Sequence, residues 1–260
     1  MTINNTVHAR FDSVVKNTMD LATALSNGTF RIERQEKLSI DWAPFDYTPP
    51  TARLAVLGIT PGRTQALNAL SAFRRALLAG QDNESALRTA KLEGSFSGAM
   101  RGNLVGMLDS IDAQHVLGVS SCADLFRPEH ELVHLTSALR YPVFVNSQNY
   151  NGTPNMLRTP VLRSMIETYL AAEVRLLPEA LWLPLGPKPA AALHHLASIG
   201  VLSADRIIEG MPHPSGANIE RIKFFLGQKA RADLSAKTRP DLIELARDVL
   251  RGQVARLRSA

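Results

Sequence analysis

The sequence predicts an α/β fold: a three-layer α/β/α arrangement around a central, mainly parallel four-stranded sheet. Three observations carry this. Four short apolar runs, near 54–57, 132–135, 181–186 and 207–208, alternate with longer segments of helical periodicity. The run Leu54-Ala55-Val56-Leu57 is apolar at every position, as a parallel strand covered on both faces must be. Two of the runs lead into loops, Gly58-Ile59-Thr60-Pro61-Gly62 and His213-Pro214-Ser215-Gly216-Ala217-Asn218. Each loop is expected at the carboxyl end of a strand, where open α/β sheets bind ligands.

Taken in order, Val7, Phe11, Val14, Val15, Leu21 and Leu25 predict a helix over 6–27, stopped by Asn27-Gly28. Residues 29–52 have no period and contain Pro44, Pro49 and Pro50, so an irregular wrap into the first strand, 53–59, is expected. A helix over 65–79 follows, through Leu67, Leu70, Phe73 and Leu77. Beyond a polar stretch come the loop Gly94-Ser95-Phe96-Ser97-Gly98 and a helix over 101–111. The second strand, 132–135, leads to Thr136-Ser137-Ala138-Leu139-Arg140 and a polar loop over 146–152. A helix over 160–177, a third strand over 181–186, a helix over 189–199 and a fourth strand at 207–208 follow. Helices over about 219–226 and 240–257 close the chain, the last with Leu242, Leu245, Ala246, Val249, Leu250 and Leu257 on one face. No linker or repeat divides the sequence. One domain over 1–260 is expected, with 1–52 as N-terminal helix and wrap, 53–227 as core and 228–260 as C-terminal extension.

Composition narrows the class. With 45% hydrophobic residues and 20% charged, the 260-residue chain can bury a substantial core and does not read as disordered. No signal-peptide pattern or bilayer-length apolar run is present, so a cytoplasmic protein without membrane contact is expected. The single cysteine, Cys122, excludes an internal disulfide and a cysteine-built metal cluster, and reads as a small buried residue. The net charge of +5 leans towards polyanions. Arg221, Lys223, Lys229, Arg231, Lys237 and Arg239 face only Glu220 and Asp233 in that stretch.

Gly58 and Gly62 permit close ligand approach, and Pro61 stiffens the loop between them. The loop lacks the Gly-Lys-Ser/Thr ending of a P-loop and the third glycine of a dinucleotide fingerprint, so neither ATP nor NAD is indicated. His213 stands where a strand hands over to a tight turn, and Asn218 is expected to cap the following helix.

In this order and separation the two loops resemble the two motifs of the uracil-DNA glycosylase superfamily. Gly58–Gly62 resembles the Gly-Ile-Asn-Pro-Gly of its mismatch-specific and thymine-DNA branches, and His213–Asn218 its His-Pro-Ser loop. Phe96 in Ser-Phe-Ser-Gly, the strand Val133-His134-Leu135-Thr136-Ser137 and Leu183-Pro184-Leu185-Gly186 extend the resemblance over roughly 53–227. The resemblance implies a DNA partner and no cofactor or metal. Thr60 would stand at the water-positioning place and His213 would donate to the departing base. Gly58, Ile59, Gly62, Phe96 and Ser137 would form the base pocket, with Asn146 or Asn149 replacing a base-reading Asn unless they serve only the turn. Pro214, Ser215 and Gly216 would press into the duplex, while Ser215, Asn218, Arg221 and Lys223 approach phosphates.

Three departures shape the expectation. Thr60 replaces the usual Asp or Asn, Ser137 replaces the base-reading Asn, and Gly62 lacks the Tyr that crowds the pyrimidine C5 edge in the uracil-specific branch. These point to a monomeric, monofunctional DNA glycosylase for a C5-modified pyrimidine, such as the glucosylated hydroxymethylcytosine of phage DNA. No lysine stands in either motif to form a Schiff base, so lyase chemistry is not expected. Uracil repair, a non-catalytic DNA-binding protein and a small-molecule α/β enzyme are the rival readings.

Overall fold

The computed structural model describes residues 5–256 apart from 97 and 128, and side chains from residue 9 onward. Ser97 and Leu257, used above, lie outside the described residues. At the centre, β3 (Leu54–Gly58) pairs in parallel with β4 (Val133–Ser137) on one side and β7 (Leu181–Pro184) on the other. Side chains alternate across this sheet. Leu54 and Val56 join one hydrophobic cluster, Ala55 and Leu57 the other, which is why every position of β3 is apolar and buried.

Helices cover both faces. The Ala55/Leu57 face is packed by α1 (Asn5–Asn17), α2 (Leu21–Asn27), α3 (Arg63–Leu78), α4 (Asn83–Gly94), α7 (Pro160–Met165), α8 (Ala171–Leu176) and α9 (Pro187–Ser198). The Leu54/Val56 face is packed by α5 (Ala99–Ser110), α6 (Ala113–Leu117), α10 (Ile219–Phe225) and α11 (Pro240–Ala255). A π-helical turn, Ile166–Leu170, joins α7 to α8. Among the described residues no helix is long and apolar enough to cross a membrane. Cys122 is buried, and its thiol is pushed up by that burial and by Asp109.

Several elements differ from expectation. The fourth strand reduces to one parallel bridge, Trp182 with Ile207, so the parallel sheet has three strands. The ladder stops because Gly210 takes φ +119° and Pro212 has no N–H to donate. A Cβ on Gly210 would stand 2.5 Å from that of Ala246, so this glycine also lets α11 approach.

The wrap over 29–52 contains a hairpin, β1 (Arg31–Gln35) with β2 (Leu38–Asp41). It joins β5 (Val143–Val145) and β6 (Gln148–Asn149) in a separate antiparallel sheet. Two of its strands are largely exposed, so their sequences carry no apolar run. The helix expected over 6–27 breaks at Asp20, whose carboxylate caps α2 through the N–H groups of Ala22 and Thr23, both at 3.0 Å. The polar stretch after 80 is helical. Asp82 caps α4, whose Ala86, Ala90 and Gly94 let it lie close to α3; a Cβ on Gly94 would meet that of Ala69 at 2.7 Å.

Candidate functional site

The loop after β3 and the loop after Ile208 meet at the carboxyl end of the parallel sheet, across a cleft of about 430 Å³. From the first come Gly58, Ile59, Thr60, Pro61 and Gly62; from the second, His213 and Ser215. Phe96, Ser137 and Asn149 complete the expected set, joined by Gln65, Met100, Arg140 and Tyr150, to which the sequence reading gave no role.

Gly58 lies between Phe96 and Ser137. A Cβ there would stand 3.6 Å from Phe96 Cζ and 3.5 Å from Ser137 Oγ. Phe96 holds φ at +47°, a conformation costly for an aromatic residue and concentrated at ligand sites. Arg101 braces the turn before it by donating to the carbonyls of Leu92 and Ser95.

Thr60 does not offer a free hydroxyl. Its Oγ1 donates to the Tyr141 carbonyl at 3.0 Å and accepts from the Val143 N–H at 3.2 Å, tying the first loop to the chain after β4. One lone pair remains, so Thr60 can accept a hydrogen bond from a water but not take the part of a base.

Nor does Gly62 leave the space beside it open. The amide nitrogen of Asn149 would lie 3.3 Å from a Cβ at position 62. Asn149 is held by its Oδ1, which accepts from the Arg63 N–H at 2.9 Å, and Gln65 Oε1 accepts from the Gly62 N–H at 3.0 Å. The first N–H groups at the start of α3 are thereby satisfied by side chains. Asn146 has no such role. It sits with Ser147 at the exposed tip of the β5–β6 hairpin, both at positive φ (49° and 63°), the turn that Asn favours. Of the two asparagines, only Asn149 lines the cleft.

His213 is half-buried, and its Nδ1 accepts the Ser215 N–H at 3.2 Å. Burial lowers its pKa, which favours the neutral ring. With Nδ1 used as an acceptor, the proton of that neutral ring sits on Nε2, as a donor at the cleft wall.

The turn after it departs from expectation in two places. Pro214 is buried, its carbonyl accepting from Asn103 Nδ2 at 2.8 Å, so the exposed tip is Gly216 and Ala217. Asn218 occupies the cap position of α10 without capping it; its amide donates to Ser215 Oγ at 3.3 Å, because a 3₁₀ turn, Gly216–Asn218, already precedes the helix.

Beside the cleft runs a groove of about 970 Å³ that shares Ile59, His213 and Ser215 with it. Lys188, Arg221, Lys237 and Arg239 line it, with Asn218; Glu209 is its single acidic side chain and pairs with His194. The rest of the basic run lies elsewhere. Lys229 pairs with Glu220 at 3.0 Å, Arg231 pairs with Asp241 and Glu244, and Lys223 is exposed on α10 away from the groove.

Under the cleft floor is a buried polar network. Glu173 accepts from Arg140 Nε at 2.6 Å, Thr136 Oγ1 at 2.8 Å and His134 Nε2 at 2.9 Å. Burial by itself would raise the Glu173 carboxyl; Arg140, His134 and Lys91 outweigh it and hold the group well below the usual carboxylate range. His134 is pushed down to about 4, first by burial and then by Lys91. Lys91, lowered to about 8 by burial, donates to the carbonyls of Phe45 and Tyr47. Among the described residues no group of three or more His, Cys, Asp or Glu is placed to hold a metal ion.

Fold and site together define an α/β protein with a cleft at the carboxyl end of a parallel sheet and a cationic groove leading from it. The chain is 32% identical over 220 residues to YoxB, an uncharacterized protein of Bacillus subtilis (strain 168), with 84% of this chain and 86% of YoxB covered. It belongs to the YoxB family. No family model and no solved structure matches it.

Proposed function

We propose that the protein is a DNA glycosylase. It hydrolyses the N-glycosidic bond of a pyrimidine nucleotide flipped into the cleft, a pyrimidine with a C5 substituent, and leaves an abasic site. The observation that carries this reading is His213: its tautomer is fixed by the Ser215 N–H, and it shares one cleft with Phe96 and Gly58.

A base inside the duplex stack is out of reach, so the nucleotide has to rotate into a pocket. Phe96 offers the ring on which that base stacks. As the C1′–N bond breaks, its electron pair moves to the base, and the His213 Nε2–H donates to the oxygen where that charge gathers. A water then adds to C1′ and loses a proton to solvent; Thr60 accepts a hydrogen bond from that water. Among the described residues no lysine lines the cleft, which suits hydrolysis rather than Schiff-base chemistry. The groove cations Lys188, Arg221, Lys237 and Arg239 would follow the phosphates on either side.

Uracil repair is the second reading, favoured by Asn149, which fills the space beside Gly62. The deciding assay gives purified protein four DNAs: unmodified duplex, uracil duplex, 5-hydroxymethyluracil duplex and phage DNA with glucosylated hydroxymethylcytosine. Alkali then turns abasic sites into breaks. Breaks in the C5-modified DNAs are expected. Breaks in the uracil strand alone would replace the first reading by the second, and DNA binding without any breaks would leave a non-catalytic binder.

The groove makes its own prediction. DNA affinity should fall steeply with salt, and Arg221→Ala and Arg239→Ala should each flatten the slope by about one unit in log–log form. Lys223→Ala should leave it nearly unchanged. Equal effects of all three would remove the groove as the DNA path.

A further inference from the structure

Arg140 is 1% exposed yet lines the cleft. Its Nε donates to Glu173 and one terminal nitrogen, Nη2, to the Tyr169 carbonyl at 3.1 Å; the other, Nη1, is buried with no partner. Buried donors are rarely left unused, and an orphan at the wall of a cleft marks a ligand contact. Its neighbours share the same polarity. The amide oxygens of Asn149 and Gln65 are taken by backbone N–H groups, which leaves their NH₂ groups as the free ends. His213 adds its Nε2–H, and among the described residues no Asp or Glu lines the cleft. Four donor groups therefore converge on one space, and the acceptors available to a ligand there are hydroxyls and backbone carbonyls.

We propose that this donor-lined cleft selects a dioxo pyrimidine, a ring with carbonyl oxygens at both C2 and C4, and that Arg140 is the specificity-determining residue that donates to the oxygen remote from the sugar. The inference rests on the glycosylase reading and sharpens it. His213 serves the oxygen next to the glycosidic bond and Arg140 the one across the ring. Asn149, beside Gly62 where a C5 substituent would point, offers its NH₂ to an oxygen on that substituent. A 4-amino pyrimidine would turn its own N–H groups towards Arg140, leaving donors unpaired on both sides. The favoured class is thus 5-oxygenated uracil, such as 5-hydroxymethyluracil, rather than the corresponding cytosine.

The test has two arms. In the first, the intact protein is titrated with free 5-hydroxymethyluracil and free 5-hydroxymethylcytosine, with binding read by ligand-observed NMR. The dioxo base should bind at least about tenfold more tightly, the scale of one buried donor left unpaired; equal or reversed affinity overturns the proposal. In the second, base release is measured on duplexes carrying each base, for the native protein and Arg140→Lys, which keeps the charge and loses the planar fork. The native enzyme should prefer the dioxo base by a similar factor and the variant should lose most of that preference. Retained preference in a folded variant removes Arg140 from the role. Selective binding of the free dioxo base without release from any duplex would uphold the cleft's selectivity and sink the glycosylase reading.

Discussion

Replacing His213 by alanine is expected to lower base release by about 10²- to 10³-fold, the scale seen when one preorganised donor to a developing anion is removed. DNA affinity should change little, because the phosphate-facing cations Arg221, Lys237 and Arg239 are untouched. The loss should fall on kcat rather than KM, since the bond to the base oxygen strengthens only as the glycosidic bond breaks. The Ser215 N–H loses its acceptor in the same variant, so a second substitution is needed. His213→Asn retains a side-chain polar group near Ser215 but places its donor differently, and should show a comparable drop. Single-turnover release at native rate from either folded variant would remove His213 from the chemistry.

The second large effect is on stability. Glu173→Ala removes the one carboxylate that accepts from Arg140, Thr136 and His134 and leaves a buried guanidinium without its counter-charge. Breaking a buried ion pair from one side costs about 3–5 kcal/mol, a large share of the stability of a domain this size. Urea unfolding should show a midpoint lowered by that amount at unchanged slope; a loss below about 1 kcal/mol would mean the network is worth no more than a surface pair.

The same groups fix the acid side of the stability curve. His134 titrates near 6.5 unfolded but at about 4 folded, so between those values the unfolded chain binds a proton that the native chain does not. Stability therefore falls as pH drops from about 6.5 to 4. Glu173, lowered from 4.5 in the fold, adds a further loss below pH 4.5 in the same direction. His134→Gln should remove the upper part of that slope and leave the lower.

Much of the architecture is legible in the residues one after another. β3, β4 and β7 are short apolar runs because both faces of the sheet are covered, and burial on both faces needs no partner to be named. The Gly58–Gly62 and His213–Asn218 loops are likewise legible, since glycine and proline at a strand end mark a turn wherever it lies. The β1–β2 hairpin is not, because an edge strand such as Arg31–Gln35 is half polar and gains its order from pairing. α4 is only partly so: Asp82 signals its start, but its buried face is alanine and glycine, chosen for closeness to α3 rather than for hydrophobicity.

For the site the division is sharper. By itself the sequence determined which residue types stand at the strand ends, and with them Gly58, Phe96, Ser137 and His213. Only the tertiary structure decided what each polar group spends its hydrogen bonds on. Thr60 is used up in bridging two loops, Asn149 but not Asn146 reaches Gly62, Pro214 turns inward, and Arg140 finds Glu173 from 33 residues away with one nitrogen to spare. Burial follows from local hydrophobic pattern, whereas the partner of a donor or acceptor is set by which distant segment the topology lays against it.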